Sequence, residues 1–215
     1  MKIIKRMIPC VAAIVIMVSM VTSTQAYTTY NLSYWNSYMD SSTGSAESKS
    51  VAFWGGTPTI FLTNLDSSVD LRSNVNTAKN KWGNAGIPTN WGTGSSGSKI
   101  RIYSGTRAQL NAMGFNYTTA TMGLTEYESY TLYAFGTKGG VRRYIYKNQL
   151  ALCSVCNEAG SDYYNRTMTH ELGHALGWRY HAQSGSVMYQ YCDVSTSAIL
   201  STDEKNHLLQ IYNLF

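Results

Sequence analysis

The chain has 215 residues and a formal charge of +5, enough length for one domain with a sizeable core. Lys2, Lys5 and Arg6 precede an apolar run from Ile8 to Val21, and Thr24-Gln25-Ala26 ends on a small residue, so residues 1–26 read as a secretory signal peptide. Its removal takes three bases and lowers the charge to +2, too little to argue for nucleic acid; the apolar run is shorter than the roughly 20 residues of a span, so no stable membrane association is expected after cleavage.

Residues 27–56 are polar and aromatic without a clear period and read as an irregular leader or short pro-segment, leaving 57–215 as the folded domain. Thr57 to Thr63 is β-rich, with Pro58 at a strand start or edge. Leu71, Val75, Ala78 and Trp82 then recur at helical spacing. Asp66, Ser67 or Ser68 can cap that helix, and Gly83 to Gly86 with Pro88 stop it. After a Gly/Ser loop, Ile100 and Ile102 suggest a strand. Met122 to Tyr127, Thr131 to Phe135 and Val141 to Leu152 are further β-type runs, the last as a hairpin partner or a single long strand. A helix follows from about Asp162 to Leu176, with Asp162 or Ser161 as cap. Ser201 and Glu204 stand at capping-box spacing before Leu208, Leu209 and Tyr212, which predicts a last helix. Mixed strands and separate helices give an α+β or α/β sandwich.

Cys153, Cys156 and Cys192 remain in the exported chain, and three thiols cannot all pair within it. A single bridge from Cys153 or Cys156 to Cys192 is expected, because both segments flank the histidine-rich stretch THELGHALGWRYH at 169–181. Positions four apart on a helix share a face, so His170 and His174 aim at a common point, as two ligands of one metal must. Glu171 projects about 100° around the axis, beside the metal and free to act on a water. Zinc accepts neutral imidazoles and keeps a position open when the protein supplies three ligands. Gly177 breaks the helix so that His181, the third candidate ligand, can swing back. Met188 in SGSVMY sits in a small-residue turn suited to a hydrophobic floor.

From about residue 162 to the end the chain resembles the metzincin zinc endopeptidases, whose pattern is HExxHxxGxxH followed by a Met-turn, and among them most of all the matrixins. Met188-Tyr189, Leu200-Ser201 with Asp203-Glu204, and Leu209, Ile211 and Tyr212 carry that likeness; from 57 to 161 it is one of element order. The resemblance implies an α+β catalytic domain with a twisted, mostly parallel sheet, an antiparallel edge strand, an active-site helix and a C-terminal helix. It implies a secreted, monomeric endopeptidase holding one catalytic zinc on His170, His174 and His181. Glu171 would assist attack of a zinc-bound water on a protein or peptide substrate. The substrate would lie extended along an edge strand near Met122 to Tyr127, with Tyr189 contacting it.

The departures from the family pattern are specific. Tyr180 occupies the usual place of the third histidine, and a phenol is a poor zinc ligand beside two neutral imidazoles. Gln190 replaces the proline after Met-Tyr. Only His207 remains for a second, structural zinc, and no cysteine between 27 and 152 can serve as a cysteine switch. Calcium has only the loose oxygens of Asn157, Glu158 and Asp162 in its favour. Two alternatives stand beside this reading: an HExxH peptidase with a remote Glu, such as Glu204, as third ligand, and a non-catalytic exported zinc-containing binding module.

Overall fold

The computed structural model describes residues 50–128, 132–138, 141–146, 150–178, 181–182, 184–191 and 199–213. The leader expected at 1–26, most of the segment from 27, Tyr180 and Cys192 lie outside these residues. In chain order the elements are β1 (Ser50–Trp54), β2 (Thr59–Asn64), α1 (Arg72–Asn84), β3 (Asn90–Trp91), β4 (Ile100–Gly105), α2 (Arg107–Ala112), β5 (Gly123–Glu128), β6 (Leu132–Lys138), β7 (Val141–Tyr146), β8 (Leu150–Cys156), a 3₁₀ turn (Asn157–Ala159), α3 (Ser161–Ala175) and α4 (Thr202–Asn213).

Five strands form the main sheet in the order β3-β2-β4-β8-β5. Neighbours are parallel except β5, which runs antiparallel to β8 at one edge. The expected α+β class, with a mostly parallel sheet and an antiparallel edge strand, is the observed one. Val141 to Leu152 is not one strand: it divides into β7 and β8, which belong to different sheets.

The central strands are covered on both faces. Along β8, Ala151, Cys153 and Val155 enter the main core with Met168, Leu172 and Trp82. The alternate positions Leu152 and Cys156 join a smaller core with Leu110, Phe115 and Tyr117 on the opposite face. That two-residue period explains the state of the cysteines. Cys153 and Cys156 are three apart, face opposite sides of the sheet, and are both buried free thiols. The expected bridge from one of them is not formed in this structure.

α1 buries Val75, Ala78 and Trp82, the stripe visible in the sequence, and packs against α3. Its start differs from expectation. Leu71 holds the N-cap position without a side-chain bond, while Asp66 accepts from Ser68 in a turn of its own. α3 begins likewise without a side-chain cap: Gly160, at φ 91°, makes the entry that Ser161 or Asp162 was expected to make. Asp162 instead lies in the first turn, where its charge favours the helix dipole.

A second sheet of three strands, β1-β7-β6, joins β1 in parallel to β7 of a β6–β7 hairpin. β1 lies in the stretch that the sequence leaves as leader, yet its Phe53 and Trp54 are 6% and 5% exposed and belong to the main core. Trp54 donates from Nε1 to Ala175 O at 2.8 Å, tying this sheet to the end of α3.

Candidate metal centre

α3 carries His170 and His174 one turn apart, with Nε2 atoms 3.0 Å from each other. The helix then closes in a Schellman motif. Gly177, at φ 121°, donates to His174 O at 2.9 Å, and Trp178 N donates to Gly173 O at 3.0 Å. A residue other than glycine is strained at that φ. Past this turn Ala182 N donates to Met188 O at 2.8 Å, which seats His181 beside the Met-turn. The three imidazoles meet: ring centroids are 4.6 Å (His170–His174), 5.3 Å (His170–His181) and 5.1 Å (His174–His181) apart. One ligand atom from each lies within 4.8 Å of the others, the grouping found among the described residues.

The donor set fits a zinc ion on two further grounds. His170 Nδ1 lies 2.7 Å from Val187 O and His174 Nδ1 lies 2.6 Å from Trp178 O. A carbonyl only accepts, so each Nδ1 carries the proton and each Nε2 presents a lone pair. Burial, the first cause, and the neighbouring histidines push both imidazoles below their usual range, His174 to about 4, which keeps the rings neutral. Two bare lone pairs 3.0 Å apart repel unless a cation lies between them. Ligands at about 2.05 Å around a tetrahedral zinc would be about 3.3 Å apart.

Glu171 is 5% exposed and sits beside the triad. Thr125 on β5 donates from Oγ1 to its Oε2 at 2.7 Å, with Glu171 O 3.0 Å away. Burial pushes this carboxyl up to about 8, against the opposing pull of the Thr125 bond. Gly123 leaves room for it: a Cβ there would lie 2.5 Å from Glu171 Oε1 and 2.6 Å from Thr167 Cγ2. Thr125 carries no sequence signal of its own. Its alternation on the predicted edge strand is the only pointer that was present.

Met188 is fully buried beneath α3, and Gly173 admits it: a Cβ there would stand 2.7 Å from Met188 Sδ and 2.8 Å from Trp82 Cζ2. Two charged residues hold the Met-turn in place. The buried Arg166, one turn before His170, reaches Ser186 O, Tyr189 O and Tyr191 O at 3.4, 3.2 and 3.1 Å. Glu204 accepts from Ser186 Oγ at 2.5 Å and from Met188 N at 3.1 Å, and it closes the capping box by accepting from Ser201 N at 2.6 Å while its own N donates to Ser201 Oγ at 3.1 Å. Glu204 is therefore occupied as a helix cap and turn anchor rather than as a third metal ligand, which corrects the alternative raised from the sequence. Tyr189 is half-buried, its ring edge-on to the exposed Tyr191 at 5.6 Å. Of the residues considered for calcium, Glu158 pairs with Arg107, and Asn157 donates from Nδ2 to Asp66 Oδ2 at 2.7 Å.

His207 lies outside the triad, 1% exposed, with its ring 4.1 Å from that of Trp178. Burial pulls its imidazole down to about 3, so it is held neutral. Above the unfolded value of about 6.5 both states are neutral and pH has no effect through this group. As pH falls from about 6.5 toward about 3 the unfolded chain gains the proton first, and stability is lost. The stability difference between His207→Leu and the parent, from urea unfolding, should shift by about 2 kcal/mol toward the variant between pH 7 and pH 5. A constant difference would show that His207 titrates normally.

The family comparison agrees with the geometry. A family model described as Matrixin, of the M10 peptidases, matches residues 67–213, from the approach to α1 through the end of α4. No curated protein matches the chain. The chain belongs to the matrixins, and its fold and histidine grouping are those of a metzincin-like metallopeptidase.

Proposed function

We propose that the chain is a secreted zinc endopeptidase that cleaves protein or peptide substrates at the centre formed by His170, His174 and His181, with Glu171 as general base. The observation that carries this reading is the convergence of three imidazoles, two with Nδ1 fixed by carbonyls, beside a buried carboxylate. Zinc held there would polarise a substrate carbonyl and make a water acidic near neutral pH. Glu171 accepts the proton of the attacking water and hands it to the leaving amine. Thr125 keeps one carboxylate oxygen in place, and the bare backbone at Gly123 leaves room for the other beside the edge strand.

β5 ends the main sheet, so an extended peptide can pair with it directly above Glu171. Tyr189, at the exit of the Met-turn, is the proposed substrate contact beyond that strand. The leader at 1–26 supports export. The expected result is hydrolysis of an unstructured protein such as casein that stops on chelation, is inhibited by a hydroxamate and returns with added zinc. Zinc uptake without hydrolysis of casein or of peptide libraries would leave a binding module and overturn the peptidase reading.

A further inference from the structure

The last turn of a helix leaves four carbonyls without helical partners, and such ends fray. In α3 that turn carries His174, so fraying would displace a metal ligand. Each of the four carbonyls is engaged. Gly173 O takes Trp178 N and His174 O takes Gly177 N, within the turn itself. The other bonds come from aromatic side chains on three separate elements. Tyr127 of β5 donates to His174 O at 2.5 Å, Trp54 of β1 to Ala175 O at 2.8 Å, and Tyr212 of α4 to Leu176 O at 2.5 Å.

The donors also brace one another. Tyr146 of β7 lies between two of them, with ring centroids 4.9 Å from Trp54 and 5.2 Å from Tyr127, and its hydroxyl donates to Tyr127 Oη at 3.2 Å. Phe53 packs edge-on against Tyr212 at 5.9 Å. Tyr127 and Tyr212 are only partly buried by residue, whereas their hydroxyls meet the carbonyls of His174 and Leu176 at one helix end, on either side of the one that Trp54 takes. Packing alone needs rings there; it does not need three donors aimed at residues 174, 175 and 176.

The consequence reaches two metal ligands. Trp178 O, which fixes the proton on His174 Nδ1, hangs from the same turn, and His181 follows it by three residues. We propose that Trp54, Tyr127 and Tyr212 are positioning residues: a three-pronged aromatic clamp on the end of α3 that holds His174 and His181 in ligating geometry and slows release of the metal. Trp54 precedes the stretch that matches the family model, so β1 contributes to the centre from outside that stretch. The clamp rests on the proposed zinc centre described above.

The test uses the full chain and the single variants Trp54→Phe, Tyr127→Phe and Tyr212→Phe, each keeping a ring and losing a donor. Zinc release into a chromogenic chelator is timed, the absorption of the cobalt-substituted protein is recorded, and far-UV dichroism monitors the fold. Release roughly tenfold faster than the parent, with an altered cobalt spectrum and unchanged dichroism, is the expected result. Tyr127→Phe removes one oxygen from a stacked ring and keeps the test available if Trp54→Phe does not fold. If the parent binds zinc and all three variants release it within about twofold of the parental rate with the parental cobalt spectrum, the clamp is wrong and the metal centre stands. If the parent takes up no zinc, both are wrong.

Discussion

Glu171→Ala is expected to lower kcat by roughly 10²–10⁴-fold while zinc stays bound at one ion per chain. The two halves of this expectation come from different atoms. The groups that would hold the metal are the imidazoles at 170, 174 and 181, and those of His170 and His174 are oriented at Nδ1 by the backbone carbonyls of Val187 and Trp178 rather than by Glu171. The carboxylate instead accepts from Thr125 Oγ1 at 2.7 Å and borders the bare backbone of Gly123. Truncating it removes a proton acceptor without disturbing a ligand. Glu171→Gln, of nearly the same shape, should be as inactive, because its amide keeps a bond to Thr125 and takes no proton. Initial rates on a fluorogenic peptide, with zinc measured on the same samples, check both. Activity within a few-fold of the parent in either variant would remove Glu171 from the mechanism.

His181→Ala is expected to weaken zinc binding by at least about 100-fold and to abolish hydrolysis with it. This residue stands one position later than the third histidine of the family pattern, and the structure gives the reason it can still take part. The helix stops at Ala175 and reverses through Gly177, so His181 lies beyond the helix and its later position does not rotate a side chain around the helix axis. The bond from Ala182 N to Met188 O then fixes the approach. Glu204→Gln provides the contrast. Its carboxylate serves Ser186, Met188 and the start of α4, so that variant should lose stability and retain zinc. Zinc lost in Glu204→Gln at a temperature where the fold is intact would reverse the assignment.

The parts legible in the sequence were those set by local spacing. His170 and His174 four apart, the Leu71-Val75-Ala78-Trp82 stripe, the Ser201–Glu204 box and the β-type run near 122–127 each depend on residues within a turn or two, and each is found in the structure; that this run is the sheet's edge was implied by the family resemblance. What was not legible depends on distant partners. β1 is a strand because β7, some 90 positions later, pairs with it, and the five residues SVAFW at the end of a Ser- and Tyr-rich stretch do not announce that partner. The split of Val141 to Leu152 between two sheets is likewise a tertiary outcome. α2 is a six-residue helix with one buried residue, Leu110, too short to show a period, although Thr106 and Gln109 form a capping box that marks its start.

The candidate site divides in the same way. The histidines and Glu171 announce themselves by spacing, whereas Thr125, Arg166 and the aromatic donors to α3 do not. Arg166 is a buried cation whose partners are three backbone carbonyls, and carbonyls leave no trace in a pattern of side chains. The expected capping of α3 by Ser161 or Asp162 failed for a related reason: Gly160 at positive φ makes the turn by backbone geometry alone.

The central claim is that three imidazoles, the last of them at position 181, hold one zinc ion. Zinc per chain, measured by mass spectrometry after dialysis against a weak chelator, tests it most directly on the parent, Glu171→Ala and His181→Ala together. The account predicts one ion in each of the first two and none in the third. A full equivalent of zinc retained by folded His181→Ala would contradict it.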